Sequence, residues 1–437
     1  MKIKALSTHA LAVALTVSLL MPYGVKASAA QNITGNKDFT ITDPYKTVDW
    51  SVWKHYKANL HTHSTASDGS VNFDKMIEAH YEKGYDILAM TDHAVVNKGW
   101  NIDPKIVPLI SYSSYLNDPK PLTDERYAEI KAGIGRSGKG MTDVPCGVEL
   151  NAVSMKLTHV NGFFADYGQG LWGRENDYET PIAGVDALGG LTVINHPGYW
   201  LGSGKDAGRA KDPKNIKFFG NLFKKYDSCL GIEVAVEKDG ATRNDRVFWD
   251  CLLEKVIPYG RNVWGFANSD AHNIESIGVA YDDFVMPENT VANVRTAMEN
   301  GTLFACALYA HNELGENFVA SGSCPCVTSI TVDDSTDQIT VQGADYTEIQ
   351  WIAKGEIIAT GSTIDLNAYE NQIGCYVRAQ LLGPGGICYT QAFALNGTST
   401  PAVDTEDSAL TKLWNNFIFK ITSTRLYVIF ELLFRAL

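Results

Sequence analysis

From Trp53 to about Leu308 the chain repeats one unit, in which a short apolar run is followed by a polar cluster and then by a segment of helical period. The runs are Lys57–Leu60, Tyr85–Met90, Val144–Val148, Leu191–Ile194, Cys229–Val234 and Asn262–Phe266. Apolar runs that alternate with helices predict parallel strands buried on both faces, in an α/β barrel or a doubly wound sheet. The pattern changes near Ser321. Thr328–Val332, Gln338–Val341, Glu348–Ile352 and Gly374–Ala379 alternate apolar with polar residues and are separated by turn signals. That spacing predicts a small antiparallel β-sandwich ending near Leu395. The expected organisation is a leader over 1–30, an α/β domain over 46–315, the sandwich over 321–395, a linker over 396–408 and a tail over 409–437.

The two ends read differently from the middle. Lys2 and Lys4 precede the apolar run Ala10 to Met21, and small residues follow at Ala27, Ser28, Ala29 and Ala30, the three-part pattern of a secretory signal peptide. The expected location is therefore secreted or at the cell surface. In the tail, Leu410, Trp414, Phe417, Ile421, Val428 and Leu432 fall at roughly helical spacing, but Lys412, Lys420, Arg425, Glu431 and Arg435 are too many charges for an easy membrane span. An amphipathic helix touching a membrane surface or a protein partner is the expectation.

Composition narrows the function classes. The 437 residues are 45% hydrophobic, 11% aromatic and 20% charged, which is globular. Lys and Arg total 37 against 50 Asp and Glu, giving −13, so general nucleic-acid binding is not expected. A small phosphorylated substrate remains compatible, because bound metal ions reverse the field inside a pocket. Eight cysteines are sparse for this length, so disulfides would be accessories. Cys375 and Cys388 flank a Gly383-to-Gly386 turn and make the most plausible pair; Cys324 and Cys326, one proline apart, would be strained if joined.

Chemistry concentrates where the strands end. His61 and His63 close the first run, and alternation in extended chain turns both imidazoles to one side. Asp68 follows in the loop, Asp92 and His93 close the second run, and Glu149 closes the third. His159 lies between Leu157 and Phe164, His196 ends Leu191–Ile194, and Asp270 with His272 ends Asn262–Phe266. In parallel α/β folds, groups at the carboxyl ends of strands share one cleft. Six imidazoles and three carboxylates there exceed the needs of one tetrahedral ion and imply two or three divalent metals, such as Mn, Zn or Fe. His55, His80 and His311 lack this context and read as structural or surface residues.

The segments Asn59-Leu60-His61-Thr62-His63-Ser64 through Asp68-Gly69, Thr91-Asp92-His93, Gly147-Val148-Glu149, Asn195-His196-Pro197 and Ser269-Asp270-Ala271-His272 resemble the ordered motifs of the PHP (polymerase and histidinol phosphatase) superfamily. The resemblance spans roughly Lys57 to Phe304. It implies a distorted seven-stranded β/α barrel with a metal-dependent phosphoesterase site. It further implies that His61, His63, Glu149 and Asp270 ligate one metal, that Glu149, His159 and His196 ligate a second, and that Asp68, His93 and His272 ligate a third. The chain departs from many relatives at Ala235-Val236-Glu237-Lys238, where they carry an Asn-containing segment.

The expected reaction is hydrolysis of a phosphate ester by a water whose pKa the clustered dications lower. Asp92, His93 and Glu149 are the candidate catalytic groups, and Arg243 and Lys238 the candidate substrate contacts. Hydrolysis of an amide, or a cell-surface binding protein with structural metals, are the rival readings.

Overall fold

The computed structural model describes residues 37–106, 118–151, 157–171, 173 and 176–395. The expected leader, linker and tail lie outside the described residues. Among the described residues no helix is long and apolar enough to cross a membrane.

After a short strand β1 (Ile41–Thr42), β2 (Lys54–Asn59), β3 (Ile87–Leu88) and β4 (Thr142–Asp143) run parallel to one another. Next come β5 (Val148–Leu150), β6 (Val160–Phe163), β7 (Leu191–Ile194), β8 (Cys229–Val236) and β9 (Trp264–Asn268), which form a second sheet in chain order. Within it β7, β8 and β9 are parallel, whereas β5, β6 and β7 are antiparallel. The all-parallel expectation fails there for a simple reason. β6 and β7 are buried along their whole length, and a fully buried apolar run reads the same in either direction. β10 (Ala280–Met286) and β11 (Leu303–Ala307) then extend the first sheet, β10 antiparallel to β2 and β11 to β10. Isolated parallel bridges from His93 to Glu149 and from Thr62 to Ala271 join the two sheets, so the expected continuous barrel is two sheets stitched by single bridges.

Helices cover the outer face of the second sheet. Asp212 accepts a hydrogen bond from the Lys214 N–H at 2.9 Å, and Pro213 at the first position starts the helix Pro213–Lys225 without losing a bonded N–H. Its buried side, Phe219, Leu222 and Phe223, packs with Phe248, Trp249, Leu252 and Leu253 of the helix Asp245–Val256 and with Ile232 and Val234 of β8.

The C-terminal strands are β12 (Cys326–Asp333), β13 (Gln338–Ala344), β14 (Glu348–Ala353), β15 (Glu356–Thr360), β16 (Thr363–Asp365), β17 (Tyr376–Gly383), β18 (Gly386–Tyr389) and β19 (Phe393–Leu395). β12, β13 and β16 form an antiparallel layer whose Val327, Ile339 and Val341 share a core with Trp351 of β14 and Val377 and Leu381 of β17. The second layer is no separate sheet. β18 pairs with β11, so one ladder runs from the first sheet into the C-terminal strands, and β19 returns to pair with β1. Buried polar contacts reinforce this join. Arg378 of β17 forks onto Asp250 with two bonds of 2.8 Å, and the Gln391 amide both donates to and accepts from the Gly265 backbone at 2.8 Å.

The expected Cys375–Cys388 disulfide is not compatible with this register. Cys388 stands opposite Leu381, six residues along β17 from Cys375, roughly 20 Å at ~3.3 Å per residue. A disulfide spans Cα atoms no more than ~7 Å apart. All eight cysteines are free in this structure.

Candidate metal centre

The first ligands are set by the end of β2. Extended chain puts His61 and His63 on one side, with their Nε2 atoms 3.1 Å apart. The loop after them folds tightly back: Gly69 N–H donates to the Ser64 carbonyl at 2.9 Å, and a Cβ on Gly69 would lie 2.7 Å from the His63 carbonyl carbon. That close approach requires glycine and turns Asp68 toward the histidines, His63 Nδ1 lying 3.5 Å from Asp68 Oδ1. Asp92 fastens the same loop. Its carboxylate accepts from Ser64 N–H at 2.7 Å, Ser64 Oγ at 2.9 Å and Ser67 Oγ at 2.7 Å. Both Asp92 oxygens are therefore occupied, and the structure gives Asp92 a loop-holding place rather than the catalytic one expected of it.

All nine expected ligands converge. Glu149 lies at the centre, buried, with Oε1 3.3 Å from His61 Nε2, 3.0 Å from His159 Nδ1 and 3.3 Å from His196 Nε2. Its Oε2 lies 3.2 Å from His63 Nε2 and 3.0 Å from His93 Nδ1. Asp270 Oδ1 is 3.2 Å from the Nε2 atoms of both His61 and His63. Asp68 and His272 close the outer side, His272 Nε2 being 3.3 Å from Asp68 Oδ1 and His93 Nε2 3.4 Å from Asp68 Oδ2. The donors fall into four overlapping groups: His61, His63 and Asp270; His61, Glu149 and His196; His93, Glu149 and His159; and His63, Asp68, His93 and His272. His159 thus groups with His93, where the resemblance puts it with His196.

The donor set fits divalent ions on an observation independent of any likeness. His93 Nδ1, His159 Nε2, His196 Nδ1 and Asp270 Oδ1 are buried without a hydrogen-bond partner. Buried polar atoms are normally satisfied. For His93 Nδ1 and Asp270 Oδ1 the neighbours at 3.0 to 3.2 Å are not aligned as hydrogen bonds, as expected of lone pairs aimed at a shared point. His196 and Asp270 also hold positive φ values of 27° and 46°, a strained backbone that surrounding structure must enforce. Burial alone would raise the Glu149 carboxyl, but His159, His61 and His93 around it hold it well below the usual range. Burial works against charge on His272, yet its hydrogen bond to Asp68 and the nearby Asp270 lift it to about 9. The side chains of Asp68 and His272 are 42% and 34% exposed while those of Glu149 and His61 are 1% and 0%, so the centre opens on the Asp68 side.

Two supporting residues lie beyond the expected set. Glu233 Oε1 is 2.9 Å from His61 Nδ1, and its Oε2 accepts the His196 N–H at 2.9 Å, so one carboxylate orients two ligands. Asn195 Nδ2 donates to Glu149 Oε1 at 2.7 Å. The signal for Glu233 is an acid inside the eight-residue buried run of β8. Glu233→Gln should weaken metal affinity about 10- to 100-fold in chelator competition while leaving the circular-dichroism melt in place. Undiminished affinity would sever Glu233 from the centre.

His80, read from the sequence as structural or surface, is buried. Its Nδ1–H donates to the Met76 carbonyl at 2.8 Å and Nε2 accepts from Asn59 Nδ2 at 2.9 Å, and Asn59 in turn accepts the Ser269 N–H ahead of Asp270. Burial drives His80 down from 6.5 to about 3, so the folded ring is neutral. Its contribution to stability is complete above pH 6.5 and is lost as pH falls from there toward 3, because only the unfolded ring binds a proton in that window. In urea unfolding across this range, His80→Gln should flatten the pH slope by about 1.4 kcal/mol per unit. An unaltered slope would contradict the buried neutral ring.

The two expected substrate contacts are not among the converging residues. Arg243 is engaged by Glu316 and by Asn312 Oδ1 at 3.2 Å, and Lys238 is exposed. The guanidinium already has a carboxylate partner, and no contact ties either cation to the cluster.

Residues 261–303, which carry β9, Asp270, His272 and β10, match a family model described as PHP-associated. No curated protein matches the chain. Among solved structures, the chain is similar to a two-domain protein containing a predicted PHP-like metal-dependent phosphoesterase from Bacteroides vulgatus, at 15% identity over 82% of this chain and 90% of that one, with a TM-score of 0.40. It is also similar to an amidohydrolase from Chromobacterium violaceum, at 16% identity over 49% and 87% of the chains with a TM-score of 0.30. A lesion-specific endonuclease from Pyrococcus furiosus aligns at 13% identity over 56% of each chain, with a TM-score of 0.33. Likeness at this level leaves the reaction to be argued from the site.

Proposed function

We propose that this chain is a member of the PHP superfamily and an exported, metal-dependent phosphoesterase that hydrolyses a small phosphate ester at a centre of two or three divalent ions. The observation that carries the reading is Glu149: each of its oxygens faces imidazoles on a different side, the arrangement a carboxylate needs to bridge two ions. Divalent ions held there would lower the pKa of a bound water and offset charge on a phosphoryl group. The chain's own contribution is positional. His61, His63, His196 and Asp270 form a dry floor, Glu233 fixes the His61 ring, and Asp92 with Ser64 and Ser67 shapes the loop that brings Asp68 to the mouth. With ions in the inner groups only, His272 beside Asp68 on the more open side would be free to pass a proton to a leaving alcohol. Export rests on the leader-like first thirty residues, and a small substrate on the net charge of −13.

The test is a panel of p-nitrophenyl phosphate, bis-p-nitrophenyl phosphate, a single-stranded oligonucleotide and an anilide, given to metal-loaded protein with and without chelator. Chelator-sensitive release from a small phosphate ester is expected. Cleavage of the anilide alone would establish the amidohydrolase reading, cleavage of the oligonucleotide alone would overturn the small-substrate assignment, and no hydrolysis at all would leave a binding protein.

A further inference from the structure

Three thiols meet where the catalytic strands join the C-terminal layer. β11 and β18 place Cys306 directly opposite Cys388. Cys324, on the connection that leads into β12, is close enough to hydrogen-bond the Ile387 carbonyl at 3.5 Å. The Cys306 thiol makes contact with both of the others. Cys306 and Cys388 are buried, whereas Cys324 retains some exposure. None of the three belongs to the metal centre.

We propose that Cys306 and Cys324 form a disulfide that staples the 308–325 connection to β11, with Cys388 left as a free thiol. The choice between the two partners of Cys306 follows from geometry. Residues directly opposite in an antiparallel ladder hold their Cβ atoms ~4.5–5.5 Å apart, and a disulfide prefers ~3.8 Å. Joining Cys306 to Cys388 would pinch a ladder held on both sides by Ala305–Tyr389 and Ala307–Ile387. Cys324 precedes β12 and is free of that constraint. The connection it would fasten carries Glu313 and Glu316, which hold Arg246 and Arg243 below the end of β8.

The chemistry is a two-electron exchange with an external disulfide, either a low-molecular-weight one such as oxidised glutathione or a protein disulfide. The Cys324 sulfur attacks one sulfur of the oxidant and expels the other as a thiol. Cys306 then displaces the remaining oxidant sulfur as a second thiol. Two protons and two electrons leave the chain, and one disulfide becomes two thiols. The contact with Cys324 pulls the Cys306 thiol down, but Cys388 and burial together raise it, and the contact with Cys306 and burial raise Cys324, so exchange is slow in the folded protein and belongs to folding.

Full-length protein would be treated with oxidised glutathione in two ways, as native protein and during refolding from the reduced, denatured chain. Free thiols would be alkylated and the protein cut with a Glu-specific protease, which separates Cys306 from Cys324 at Glu313 and Glu316. A Cys306–Cys324 linked peptide in either arm is expected, and Cys388→Ser should retain it. The linked form should melt roughly 5 °C above its reduced counterpart. A Cys306–Cys388 or Cys324–Cys326 linkage, or three free thiols in both arms, would overturn the proposal. Because the mapping uses the unmodified chain, it holds whether or not any variant folds.

Discussion

Glu149→Gln should lower chelator-sensitive hydrolysis by about 10³-fold or more, equivalent to at least about 4 kcal/mol of transition-state stabilisation, and should strip most of the bound metal. The amide keeps the shape of the side chain and can still occupy the space between β5 and its neighbours. It replaces one of two anionic oxygens with an NH₂ group, which points hydrogens at imidazole lone pairs 3.0 to 3.3 Å away. Five imidazoles gather round this carboxylate, so the loss touches most of the donor groups at once. Metal analysis and turnover read the effect, with circular dichroism confirming the fold. Full metal content together with full turnover would remove Glu149 from the centre.

The second large effect concerns stability. Arg378→Ala should cost about 3–5 kcal/mol, because it leaves the Asp250 carboxylate buried opposite nothing but the Tyr376 hydroxyl. The pair is almost wholly enclosed, at 3% and 6% exposure, and ties the helix Asp245–Val256 to β17 across the join between the α/β part and the C-terminal layer. Burial itself works against the charge on Arg378, so Arg378 and Asp250 replaced together by apolar residues of similar volume should lose less than either does alone. Urea unfolding of the two single variants and the double variant measures this. A single-variant loss under about 1 kcal/mol would mean that water reaches the pair and screens it.

The donor cluster was legible in the sequence because its residues sit at the ends of short apolar runs, where period-two alternation and strand polarity say where side chains go. His61 with His63, and Asp270 with His272, carry that information locally. What was hidden depended on partners far along the chain. Glu233 is embedded in a strand that otherwise signals only burial, and its meaning comes from His61, 172 positions away. Arg243 was a free cation to the sequence until Glu316 met it. The antiparallel run of β5, β6 and β7 left no trace, since burial on both faces erases the alternation that would distinguish orientation. The Cys375–Cys388 pairing failed because the turn between them was readable while the register of β17 against β18 was not.

β1 and β19 pair with Ile41 opposite Leu395, which brings the first and last described strands together. The fold can therefore be treated as a ring that happens to be cut at that edge. A circularly permuted chain, with residues 37 and 395 joined by a short linker and new ends opened in the exposed turn 135–138, would keep every strand neighbour described above. A tether fused directly at residue 37 or at residue 395 would also hold the molecule by the same corner, so the two choices would present the mouth of the donor cluster to the surroundings in much the same orientation.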